Sequence, residues 1–116
     1  MTFSQAVSTV FSKYAVFTGR ASRPEFWWFA LFNVIASVVL GGVDKAVFGR
    51  EILSVVYGLG VLLPGLGVAI RRLHDTDRSG WWLLVGLIPL IGWIVLVYWY
   101  ASEGTRGENR FGTSPA

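Results

Sequence analysis

The chain has 116 residues, of which 53% are apolar and 15% charged, with a formal net charge of +3 and no cysteine. A soluble domain carries about 25% charged residues, so water is not the main solvent of this sequence. The missing cysteines exclude disulfides, thiolate nucleophiles, iron–sulfur clusters and cysteine zinc sites.

Residues 3–17 come first. Phe3, Ala6, Val7, Val10, Phe11 and Tyr14 recur at helical spacing with Ser4, Gln5, Ser8, Thr9, Ser12 and Lys13 opposite, the pattern of an amphipathic helix lying in the headgroup layer. Thr2 and Gln5 have capping-box spacing. The first long apolar run begins only at residue 26, behind this segment, and no cleaved secretion signal is expected.

Three runs then carry no charged residue: Phe26 to Val43 (18 residues), Ile52 to Ile70 (19) and Trp81 to Ala101 (21). A helix crossing the hydrocarbon core needs roughly 20 residues. The expected fold is therefore an all-α membrane protein forming one domain over 1–116. Three transmembrane helices, at about 24–43, 52–72 and 80–101, follow the amphipathic helix, and 102–116 form a short tail.

The spans carry their own punctuation. Ser22-Arg23-Pro24-Glu25 places a cap, a first-turn proline and an acid at the start of span one, and Ser79-Gly80 precede span three. Trp27, Trp28, Trp81 and Trp82 follow at once, the depth at which indoles anchor. Asn33, Ser37 and Gly41 form one small, polar stripe, to be met by Gly58 and Gly65 of span two, and are assigned to helix packing. Pro64 and Pro89 interrupt spans two and three and are expected to kink them.

Orientation follows Lys and Arg in the flanks. With three spans, Lys13, Arg20, Arg23, Arg71, Arg72 and Arg78 share one side, and Lys45, Arg50, Arg106 and Arg110 the other. This predicts a cytoplasmic N-terminus and an external C-terminus.

The densest polar segment is Arg71-Arg72-Leu73-His74-Asp75-Thr76-Asp77-Arg78-Ser79-Gly80. Arg20, Arg23, Arg71, Arg72 and Arg78, with His74 and Asp75, form a candidate site for anionic headgroups or a protein partner, because guanidinium groups bind phosphate through a planar fork of donors. A structural role, with Asp75 and Asp77 pairing arginines, is the plainer alternative. One histidine beside two aspartates supplies too few ligands for a metal, and no oxyanion-binding pattern accompanies His74 and Asp75. No catalytic residue, metal or cofactor is assigned, and the protein is expected to be no enzyme. Expected partners are membrane lipids, anionic ones included, and a second copy or another membrane protein; nucleic acid is not among them. The rival reading is a subunit of an oligomeric channel or transporter, and the weaker rival a membrane enzyme using His74 and Asp75.

Three blocks, Phe17 to Trp28, Ala69 to Trp82 and Gly104 to Gly112, resemble the bacterial inner-membrane family called domain of unknown function (DUF) 805. Phe26 and Phe111 stand where that family often has Tyr. The resemblance implies a small multi-span protein of the bacterial inner membrane with no established reaction, substrate or cofactor.

Overall fold

The computed structural model describes residues 2–112. The first helix, α1, spans Phe3–Ser12. Its capping box is complete: the Gln5 amide donates to the Thr2 hydroxyl (3.2 Å) and the Thr2 amide to Gln5 Oε1 (2.9 Å). The helix stops short of residue 17, and residues 13–17 instead run along a later helix. Ala6 and Val10 are fully buried. Phe3 and Phe11 set their rings edge-on to Trp28 and Phe29, which seats α1 against the first third of the next helix.

Helix α2 spans Arg23–Val43, with Ser22 as N-cap accepting from the Glu25 amide at 3.3 Å. It continues as a π-helical turn, Asp44–Phe48, and stops at Gly49, whose φ of 68° suits glycine. Asp44 is 1% exposed and caps the following helix from outside it. Its carboxylate accepts from the amides of Ile52 (3.2 Å), Leu53 (2.8 Å) and Ser54 (2.9 Å) and from the Ser54 hydroxyl (2.9 Å). These are the amides that a helix start leaves unpaired. The sequence reading passed over Asp44.

Helix α3 spans Leu53–Asp75 without a break at Pro64. Proline lacks the amide that would bond the carbonyl four residues earlier, here Gly60. The Tyr14 hydroxyl donates to that carbonyl at 2.7 Å, so the lost bond is replaced from residue 14. Close approach of residues 13–17 is possible because Gly67 has no side chain; a methyl group there would lie 3.1 Å from the Val16 carbonyl oxygen.

The third apolar run is not one helix. Gly80–Leu87 form a 3-10 helix, the chain turns, and α4 spans only Ile91–Ala101. Pro89 drives Ile88 out of the helical region, to φ −88° and ψ 110°, as expected for a residue before proline. Leu90 then takes φ 61°. The two arms lie antiparallel. Trp82 meets Trp99 edge-on at 5.7 Å, and the Trp93 indole donates to the Gly86 carbonyl at 3.0 Å. A side chain on Gly92 would collide with the Val85 carbonyl, so the turn needs glycine there. Each arm is roughly 16 Å long, half of a bilayer core. The expected third span, 80–101, is thus corrected to a hairpin. Its far arm returns to the end from which the near arm left, since Arg72 Nε and Trp27 Nε1 both donate to the Tyr100 carbonyl, at 2.9 and 3.2 Å.

Among the described residues, two helices are long and apolar enough to cross a membrane, the continuous α2 segment and α3. At 21 and 23 residues, α2 and α3 measure about 31 and 34 Å. Their outer faces are bare hydrocarbon: Val38 and Leu59 are each 70% exposed. Inside, the Tyr57 hydroxyl donates to Asn33 Oδ1 at 2.6 Å across the helix pair. The rest of the assigned packing stripe does not meet a neighbour: Ser37 is exposed, and a methyl group on Gly41, Gly58 or Gly65 would enter open space.

Candidate functional site: a buried charge cluster

The start of α2, the end of α3, the end of α4 and the tail all meet at one end of the molecule. There the polarity of an ordinary protein is inverted. Arg20, Glu25, Arg71, Arg72, His74 and Asp75 are all buried, while the helices beyond them expose valine and leucine.

Asp75 is the hub. Its carboxylate accepts from Arg20 Nε at 2.9 Å and from Arg72 Nη1, and its backbone carbonyl accepts the Thr105 amide at 2.7 Å. Arg20 spends its remaining donors on the tail: Nη1 bonds the carbonyls of Gly107 (2.6 Å) and Gly112 (3.2 Å), and Nη2 that of Thr105. Arg72 does the same for α4, bonding the carbonyls of Tyr100 and Ser102. A cation there suits both the free carbonyls and the negative end of the helix dipole. Arg71 pairs with Glu25 through Nη1, while its Nε and Nη2, also buried, have no partner among the described residues.

His74 Nδ1 lies 2.8 Å from the Gly19 carbonyl. A carbonyl can only accept, so the proton of the neutral ring sits on Nδ1 and Nε2 keeps its lone pair. The ring stacks on Phe111 at 4.0 Å, and the Asn109 side chain donates to the His74 carbonyl at 2.9 Å. Further out, Asp77 pairs with Arg110, and Glu103 with Arg106, whose hydrogen bond holds the Glu103 carboxyl below the usual carboxylate range.

The segment expected to reach the headgroup layer is therefore divided. Arg20, Arg71 and Arg72 face inward: Arg20 and Arg72 are taken up by the Asp75 carboxylate and by carbonyls, and Arg71 meets Glu25 through Nη1 alone. Arg23 is exposed and Arg78 half-buried, its guanidinium 4.7 Å from the centre of the Trp99 ring. Of the tryptophans assigned as anchors, Trp27 bonds the Tyr100 carbonyl, Trp28 packs on Phe3, Trp82 packs on Trp99, and Trp81 is 79% exposed. Glu25 escaped notice as a counter-ion because its place in the first turn of α2 already explained it. Its spacing from Arg71 carries no local signal. No cluster of His, Asp or Glu suited to a metal occurs among the described residues.

Gly104 shows how closely the tail is fitted. Any side chain there would overlap the Asp75 carboxylate. Gly104→Ala is expected to unseat residues 103–112, seen as faster tryptic cleavage at Arg106 and Arg110, whereas the same change at Gly58, which faces open space, leaves the digestion rate as it was.

Long helices with apolar outer faces, closed at one end by buried, paired charge, define an all-helical membrane protein. Comparison with known sequences places it further. The chain belongs to the family described as protein of unknown function (DUF805), whose model matches residues 14–113. It is 49% identical over 111 residues to the inner membrane protein YhaH of Escherichia coli K12, covering 91% of this chain and 92% of that protein. It is 47% identical over 109 residues to inner membrane protein YhaI of the same strain, covering 92% of each. Uncharacterized protein YiiR is 31% identical over 130 residues, with 83% of each chain covered. No solved structure matches. These relatives support the bacterial inner membrane as its location and attach no reaction to the family.

Proposed function

We propose that this is a non-enzymatic inner-membrane protein with two spans, α2 and α3, and a re-entrant hairpin, whose charged end lies in the cytoplasm and recognises anionic lipid headgroups. The observation that carries the reading is the gathering of charge. Because the hairpin brings the tail back, Lys13, Arg20, Arg23, Arg71, Arg72, Arg78, Arg106 and Arg110 share one end, against Lys45 and Arg50 at the other. Eight positives against two is a far stronger inward bias than six against four. The labour is split: the buried arginines brace the end from within, and Arg23, Arg78, Arg106 and Arg110 meet phosphate.

The test is native mass spectrometry of the full chain released from mixed anionic and zwitterionic lipid. Exchanging Arg23, Arg106 and Arg110 together for Gln is expected to lower anionic-lipid retention about fivefold per residue, from roughly 1 kcal/mol each at a membrane surface, and added salt should mimic the change. Unchanged retention in correctly inserted protein would end this reading.

A further inference from the structure

One cleft opens beside the buried cluster, between α3 and the 3-10 helix, with a volume of about 450 Å³. Leu66 and Ile70 form one wall and Leu83 and Leu84 the other, and His74 and Ser79 stand at its polar end. Such a volume is in the range of small-molecule sites. Two of its features ask for a ligand. His74 lines the cleft, and its Nε2, which keeps some exposure, accepts from no described residue and is open to a donor. Ser79 Oγ accepts the Trp81 amide at 3.3 Å, which leaves its own proton free to donate. The polar end thus offers one acceptor and one donor, the complement of an alcohol.

Charge lies one residue outside the lining. Arg78 adjoins Ser79 in the chain and makes no ion pair with any carboxylate of the described residues; its one hydrogen bond goes to the Thr76 carbonyl at 3.3 Å. An unneutralised guanidinium beside an apolar cleft suits a phosphate that carries hydrocarbon. We propose that this cleft holds one acyl chain of a phosphatidylglycerol-type lipid, with the phosphate at Arg78 and a glycerol hydroxyl between His74 Nε2 and Ser79 Oγ. An ammonium head could bond His74 but could not accept from Ser79, and phosphatidic acid, whose headgroup ends at the phosphate, has no alcohol to place there. The proposal rests on the headgroup-recognising reading above and narrows it to a single lipid at a single site.

The full chain is purified with an equal mixture of phosphatidylglycerol, phosphatidic acid and phosphatidylethanolamine of matched chains, and retained lipid is read by native mass spectrometry. One phosphatidylglycerol per chain is expected, at least tenfold over the other two. Filling the cleft by Leu66→Trp is expected to abolish that preference, while the same change at Leu59, on the exposed outer face of α3, leaves it in place. Leu84→Trp fills the same space from the opposite wall, should the first variant not fold. Equal retention of the two anionic lipids over phosphatidylethanolamine, with no response to either tryptophan, overturns the cleft and leaves the charged face standing. Equal retention of all three, or no anionic lipid retained at all, sinks both.

Discussion

Asp75→Asn is expected to destabilise the protein by about 3–5 kcal/mol, the cost of removing one partner from a buried ion pair. The reason is geometric. One carboxylate neutralises both Arg20 and Arg72, and these two arginines between them hold the tail and the end of α4. Without the charge, two guanidinium groups remain buried with no counter-ion. Unfolding by denaturant in mixed micelles, followed by circular dichroism, reads the loss, and trypsin reads the tail, which should become cleavable at Arg106. Replacing Arg20, Arg72 and Asp75 together by Met, Met and Leu should cost less than Asp75→Asn alone, because an apolar cluster leaves no stranded charge. Wild-type stability and protection in Asp75→Asn would mean that the cluster does not brace this end.

Cysteine labelling in intact cells is expected to place Val47 outside and Glu108 inside. The chain has no cysteine of its own, so Val47→Cys and Glu108→Cys each give one unambiguous reporter. A membrane-impermeant maleimide should modify the first from outside, and the second only after the membrane is opened. The difference is all or none. The hairpin decides it: an unbroken helix over 80–101 would carry the tail to the opposite side, while a turn at 88–90 returns it beside Arg20. Labelling of Glu108→Cys in intact cells would restore three spans and an external C-terminus.

Local chemistry was legible in the sequence where the partners are near neighbours. The Thr2–Gln5 box and the Ser22 cap lie within four residues of their targets, and both are present. The two prolines show the limit. Pro64 and Pro89 sit in similar apolar, glycine-rich surroundings, yet α3 runs through one and the chain reverses at the other. At Pro64 the carbonyl left free is met by the Tyr14 hydroxyl, 46 residues from Gly60, a partner no local pattern announces. The arginines follow the same rule. Nothing adjacent to Arg71 or Arg72 tells a headgroup-facing guanidinium from a buried one, because Glu25 and the carbonyls of residues 100 and 102 reach them only once the chain is folded. Asp44 did stand in view, as an acid directly after an apolar run, and a capping role toward the next helix could have been read from it.

The bond from Tyr14 to Gly60 also bears on synthesis. Residue 14 leaves the ribosome long before Pro64, so α3 reaches the bilayer with a carbonyl that its own helix cannot satisfy. Without that bond the carbonyl would go unmet, and in hydrocarbon an unmet backbone group costs several kcal/mol. A segment made well before α3 thus supplies the bond that Pro64 removes from it.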